Sequence, residues 1–176
     1  MGYNLRIGEA VICYSDESAR VDCETVRRDD SPSFGDPTDG TNCRWPSYTV
    51  WADMMAKLGL TDVMFNRRNG GVGEFEYKGK WLYPLIPEHP GAAPITREHV
   101  EYVEEKLAAY KAAHPDHRAA YPPPKPDATP IMPGCYKDGD LVDDPRYDGA
   151  LCRGEWLAWW MRWAVENCKQ PVFVNS

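Results

Sequence analysis

Residues 152–168 are apolar on nearly every side of a helix. Trp156, Trp159, Trp160 and Trp163 cover one wide face, and Leu157, Met161, Ala164, Val165 and Cys168 cover much of the other. Only Glu155, Arg162 and Glu166 mark a polar stripe, with Arg162 and Glu166 at the spacing of a helical ion pair. A helix apolar all round has to be enclosed, by its own fold or by a partner. The pattern predicts a central helix over about 151–168, lying between a sheet and another helix.

A chain of 176 residues has room for one such core and little for a second, so a single domain over 1–176 is expected. Two further helices are predicted. Ser47 is a good N-cap for a helix over 48–58, whose apolar face carries Trp51, Met55 and Leu58. Gly59 suits the left-handed position after it, with Leu60 folding back on Met55. Thr96 caps a helix over 97–113, where Val100, Val103, Leu107 and Tyr110 face inward and Glu98, Glu101, Glu104, Glu105 and Lys111 face out.

Strands are predicted by period-two alternation. Residues 3–14 and 19–26 read as a hairpin, and 63–86 as short strands separated by turns at 66–71 and at Lys78-Gly79. Residues 171–174 would add a short edge strand. Two irregular stretches, 27–46 and 115–149, are dense in proline and glycine. The second contains a run of polyproline character and is expected to wrap the surface. The expected fold class is therefore α+β: a small antiparallel sheet against about three helices, with long proline-rich loops.

The formal net charge of −7 disfavours nucleic acid, which is held by clustered Lys and Arg, and favours a basic partner surface. No run reaches membrane-spanning length, and residues 1–23 lack the pattern of a signal peptide. A cytoplasmic location is expected, with no membrane partner. Six cysteines form no CxxC pair, and with four histidines they suggest no metal site. They read as small buried hydrophobes, with a Cys13–Cys23 bridge across the hairpin as the alternative. His114 and His117 are expected to be solvated at a helix exit. No cofactor is implied.

No complete catalytic or nucleotide motif is present. The best ligand-binding candidate is the segment of Arg67, Arg68, Gly70 and Gly71, where backbone N–H groups and guanidinium forks suit phosphate or carboxylate. It lacks the Lys-Ser/Thr of a P-loop, and a solvated hairpin loop is the competing reading. A second candidate joins Arg44, Trp45 and Tyr48, an arginine beside two aromatics that would stack on a planar ring. Trp45 is expected to pack, and a simple staple at the helix start competes. For catalysis, Glu88-His89 and Glu98-His99 are adjacent acid and base types, but neither forms a recognisable catalytic motif. Glu98 and His99 are adjacent and so do not face each other on a helix, and His99 is expected to rim the apolar face.

The segments MGYNLRIGEA, WPSYTVWADMM and PVFVNS resemble small uncharacterised proteins carried by bacteriophages of actinobacteria. The resemblance carries no catalytic residue. It implies a viral protein in the host cytoplasm that acts by binding a host protein or by sequestering a small signalling molecule, with structural roles in the particle left open. The expected function is thus non-enzymatic binding, such as inhibition of a host protein. Sequestration of a nucleotide-like anion is the alternative, and an unrecognised hydrolase is a third. Seven tryptophans and ten tyrosines exceed what one small core uses, so a homodimer or larger homo-oligomer is expected.

Overall fold

A computed structural model describes residues 2–15, 18–35, 39–65, 67–68, 71–131 and 136–176. In chain order the elements are β1 (Leu5–Ser15), β2 (Ser18–Cys23), β3 (Cys43–Arg44), α1 (Tyr48–Lys57) and α2 (Thr61–Phe65). Then come β4 (Arg67–Arg68), β5 (Gly71–Val72), β6 (Phe75–Tyr77), β7 (Lys80–Leu82) and β8 (Gly91–Pro94). The chain closes with α3 (Arg97–Ala113), α4 (Gly149–Asn167) and β9 (Pro171–Asn175). The fold is α+β, an antiparallel sheet against several helices.

The main sheet runs β2-β1-β9-β8, with β3 also beside β1. β1 changes partner along its length. Leu5 to Glu9 pair with β9, from Leu5↔Asn175 to Glu9↔Pro171. Ala10 to Ser15 pair with β2, from Ala10↔Cys23 to Ser15↔Ser18. The predicted hairpin is therefore present, but its register sets Cys13 opposite Arg20, not Cys23.

The expected edge strand at 171–174 is instead internal, with β1 on one side and β8 on the other. Its residues explain this: Val172, Phe173, Val174 and Asn175 are all buried, as suits a strand covered on both faces. Phe173 joins the main core, whereas Val172 and Val174 form a second cluster with Cys23 on the opposite face. The expected sheet partner at 73–85 is a separate hairpin of β6 and β7, turning at Lys78 and Gly79, both with positive φ. Residues 63–65, expected as strand, belong to the short helix α2. The Leu60 carbonyl takes the Met64 N–H at 3.1 Å, so the chain re-enters a helical turn directly after α1.

α1 ends as its sequence requires. Gly59 has φ +72°, and Leu60 N–H reaches the Met55 carbonyl at 2.7 Å. α4 is the buried helix. Trp156 and Trp160 are almost wholly enclosed, and Trp159 and Trp163 pack partly buried against the core, with edge contacts through Trp160. One contiguous core draws on residues from Leu5 to Phe173.

The long loops are held by specific bonds. Asn42 is fully buried, donates to the carbonyls of Ile7 at 2.8 Å and Glu24 at 2.9 Å, and accepts from Val26 N–H at 2.8 Å. The 115–149 stretch is anchored by Arg118, whose N–H reaches Arg146 and whose carbonyl takes the Asp148 N–H.

Candidate functional site

The residues singled out from sequence go to different places. Arg44, on β3, is buried, with its guanidinium 5.4 Å from the Trp156 ring centroid and 3.9 Å from the Asp39 carboxylate. Trp45 follows it and turns outward at 63 % exposure, against the expectation that it packs. Neighbouring Pro46 is the buried residue, its carbonyl taken by Tyr3 N–H at 2.9 Å. Arg67 and Arg68 pair with Val72 and Gly71 in a two-stranded ribbon apart from the main sheet. Gly70 lies outside the described residues.

Tyr48 enters a constellation that sequence reasoning did not assemble. Its hydroxyl lies 2.7 Å from His89 Nε2, and His89 Nδ1 lies 2.9 Å from Asn175 Oδ1. The proton positions follow from the far end. The Gly91 carbonyl can only accept, so the amide nitrogen of Asn175 donates to it at 3.2 Å. The amide oxygen therefore faces His89 and takes the Nδ1 proton. Nε2 is left with its lone pair, and it accepts the hydrogen of Tyr48. Tyr3 closes the group, with ring centroids 4.6 Å from Tyr48 and 5.1 Å from His89. Asn175 is fully buried, Tyr48 half-buried and His89 exposed. Three elements far apart in sequence position these side chains: the first residue of α1, the loop before β8 and the end of β9. No spacing in the sequence joins the three.

A second constellation surrounds Asp148, the N-cap of α4. Its Oδ1 accepts from Ala150 N–H at 2.9 Å and Leu151 N–H at 3.2 Å. Its Oδ2 accepts from the Tyr110 hydroxyl at 2.6 Å, Lys57 Nζ at 2.9 Å and His117 Nδ1 at 2.7 Å. Burial works against the charge, but these bonds outweigh it and hold the carboxyl far below the usual carboxylate range. His114 stacks on Tyr110 with centroids 4.3 Å apart, so neither histidine of the helix exit is simply solvated. Every Asp148 partner is internal to the fold, and the cluster reads as the bolt joining α1, α3, α4 and the 115–149 stretch.

His99 is buried rather than at a rim. Its Nδ1 accepts from Thr96 N–H at 3.1 Å in a capping box, and its Nε2 donates to the Tyr83 carbonyl at 2.7 Å. The spacing of Thr96 and His99, three apart at a helix start, puts the ring within reach of the cap.

The third feature is an edge. Past Ala10, β1 outruns β9 and has β2 as its strand partner on one side. The stretch Ala10-Val11-Ile12-Cys13-Tyr14 carries no charge. Ile12 is 57 % exposed and Tyr14 81 %, with Val21 of β2 beside them also exposed. At the foot of this ribbon a recess of about 370 Å³ is lined by Ala10, Val21, Ala92, Ile95, Pro171 and Val172, among others.

Among the described residues, no three or more His, Cys, Asp or Glu come together as a metal-ligand set, and no helix is long and apolar enough to cross a membrane. Compared with known proteins, the chain matches no family model, no curated protein and no solved structure.

Proposed function

We propose that this chain is a binding protein that takes an extended segment of a protein partner along the open edge of β1, beside Val11 to Tyr14. The observation that carries the reading is the chemistry of that edge. Strand edges exposed to solvent are ordinarily guarded by lysine, proline or a bulge, because unpaired backbone groups pair with any strand that arrives. Here the edge is uncharged and apolar, no strand other than β2 among the described residues pairs with β1 past Ala10, and a recess lies at its foot. Backbone bonds from an added strand give affinity, and alternate side chains seated on Ile12, Tyr14 and the recess give selectivity. The formal net charge of −7 favours a basic partner. Under the resemblance to phage proteins, the partner is a host protein whose activity is blocked.

The test is a paired capture experiment. Wild-type chain and the double variant Ile12→Lys, Tyr14→Lys are used as bait in host lysate. The variant should keep its stability within about 0.5 kcal/mol, since both side chains are exposed. It should lose a partner that the wild type retains in stoichiometric amount. If every captured protein binds both baits equally, the edge is not the binding surface. Light scattering on the free chain separates a second outcome: a dimer abolished by the same two lysines makes the occupant a second copy.

A further inference from the structure

We propose that Tyr48 is a nucleophile activated by His89, and that the Tyr48–His89–Asn175 relay accepts acyl groups from carboxylic esters. The proposal concerns the opposite side of β9 from the recess at the β1 edge and does not depend on the binding reading. Strand alternation puts Asn175 with Phe173 on the helix-covered face, whereas Val172 and Val174 face the other way.

The relay has the order that nucleophilic catalysis needs. An amide fixes a histidine tautomer, the histidine presents a lone pair, and a hydroxyl is bonded to that lone pair at 2.7 Å. Asn175 is itself locked, fully buried and bonded to the Gly91 carbonyl. His89 therefore cannot turn to the other tautomer without losing an internal bond. Tyr48 also holds the first position of α1. Side chains there lean toward the helix N-terminus, where the positive end of the dipole favours charge developing on the phenol oxygen.

The surroundings select the electrophile. Among the described residues, the side chains in ring or hydrogen-bond contact with the reacting pair, Tyr3 and Asn175, are uncharged. Phosphoryl transfer depends on cations to offset the charge of the migrating group. A neutral ester carbonyl does not, and aromatic walls suit it. In the first half-reaction the Tyr48 oxygen bonds to the carbonyl carbon while the phenolic proton passes to His89 Nε2. The carbon–alkoxide bond then breaks, and the departing alkoxide takes that proton and leaves as an alcohol. The acyl group remains on Tyr48 as an aryl ester, a good acyl donor. In the second half-reaction water loses a proton to Nε2 and attacks that ester. The carboxylic acid departs, and the Tyr48 phenolate recovers its proton from His89. The sum is ester plus water to acid plus alcohol, with no change of oxidation state. Tyr48 and His89 are the catalytic residues, and Asn175 is a positioning residue.

The test uses p-nitrophenyl acetate with the full chain. Release of nitrophenolate should begin with a stoichiometric burst, and peptide mapping should find the acetyl group on Tyr48. Tyr48→Phe should abolish both. His89→Ala should slow the burst by about a hundredfold or more, and added imidazole should restore part of it, which a purely structural histidine would not permit. Each variant is melted alongside, so that a misfolded protein is recognised as such; Tyr48→Phe removes one oxygen and is expected to keep the fold. Acetylation confined to lysines, at equal rates in wild type and Tyr48→Phe, overturns the proposal. So does a burst that survives Tyr48→Phe but not His89→Ala, which would make His89 the nucleophile.

Discussion

The Tyr110 hydroxyl donates to the buried Asp148 carboxylate over 2.6 Å, a bond from α3 to the N-cap of α4. Asp148→Ala removes an N-cap and takes from the buried Tyr110 hydroxyl its closest partner, leaving His117 Nδ1 at 3.4 Å. The first loss costs about 0.5–2 kcal/mol and the second about 1–3 kcal/mol. Urea unfolding should report a destabilisation of about 3 kcal/mol. Because the folded carboxyl titrates far below its unfolded value, its contribution is complete above about pH 4 and is lost as the pH falls through the folded value. The variant should therefore lose less stability on acidification than the wild type does.

His99 works in a higher pH window. Burial lowers its proton affinity, and the bond to the Tyr83 carbonyl offsets this only in part. An unfolded histidine titrates near about 6.5. Below that, the unfolded chain binds a proton that the folded chain refuses, so stability is full above about pH 6.5 and declines as the pH drops toward the lower folded value. Urea midpoints measured at about pH 7.5 and about pH 5 should differ in the wild type. In His99→Gln that part of the difference should vanish.

Of the two glycines in α4, Gly154 is the more closely packed. A Cβ there would stand 2.6 Å from Leu107 Cδ2 and 2.8 Å from Leu58 Cδ1, both in the core. Alanine gains about 1 kcal/mol of helix propensity over glycine. Overpacking costs about 1–3 kcal/mol, so Gly154→Ala should lower the melting temperature. By contrast Trp160→Ala leaves a cavity and should cost about 3–5 kcal/mol.

The cysteines should separate by reactivity. Burial pushes the Cys23 thiol up to about 12, although nearby Arg6 pulls the other way, and burial also raises Cys43. Neither holds much thiolate at neutral pH. Cys13 is only half-buried, so a maleimide should label it well before Cys23 and Cys43. Equal labelling of the three in native protein would contradict this.

The helices were legible because their signals are local. Ser47, Gly59 and Thr96 fix ends within one turn, and the spacing of Val100, Val103, Leu107 and Tyr110 sets a face. The sheet was legible only where the chain doubles back at once, as in β1 and β2. Elsewhere the reading was partial. Gly91-Ala92-Ala93-Pro94 has no alternation to read as a strand, and β9 is read as a strand but placed at an edge, because a run apolar on both faces hides the period that would show it covered on each side. The relay was illegible for a related reason. Sequence proximity groups Tyr48 with Arg44 and Trp45, whereas its partner is His89, brought to it by strand pairing that no local pattern encodes.

The pairing of β1 with β9 also has a consequence for synthesis. As the chain emerges from a ribosome, β1 is made long before β9, the neighbour it pairs with in the sheet. Until then Leu5 and Ile7 have no β9 beside them, and the uncharged stretch after Ala10 stays exposed. Long-range pairing of this kind slows folding and lengthens exposure to aggregation. A circular permutant that joins residue 176 to residue 2 and opens the chain in the loop after β7 would make the two strands consecutive. It should fold faster while reaching the same sheet.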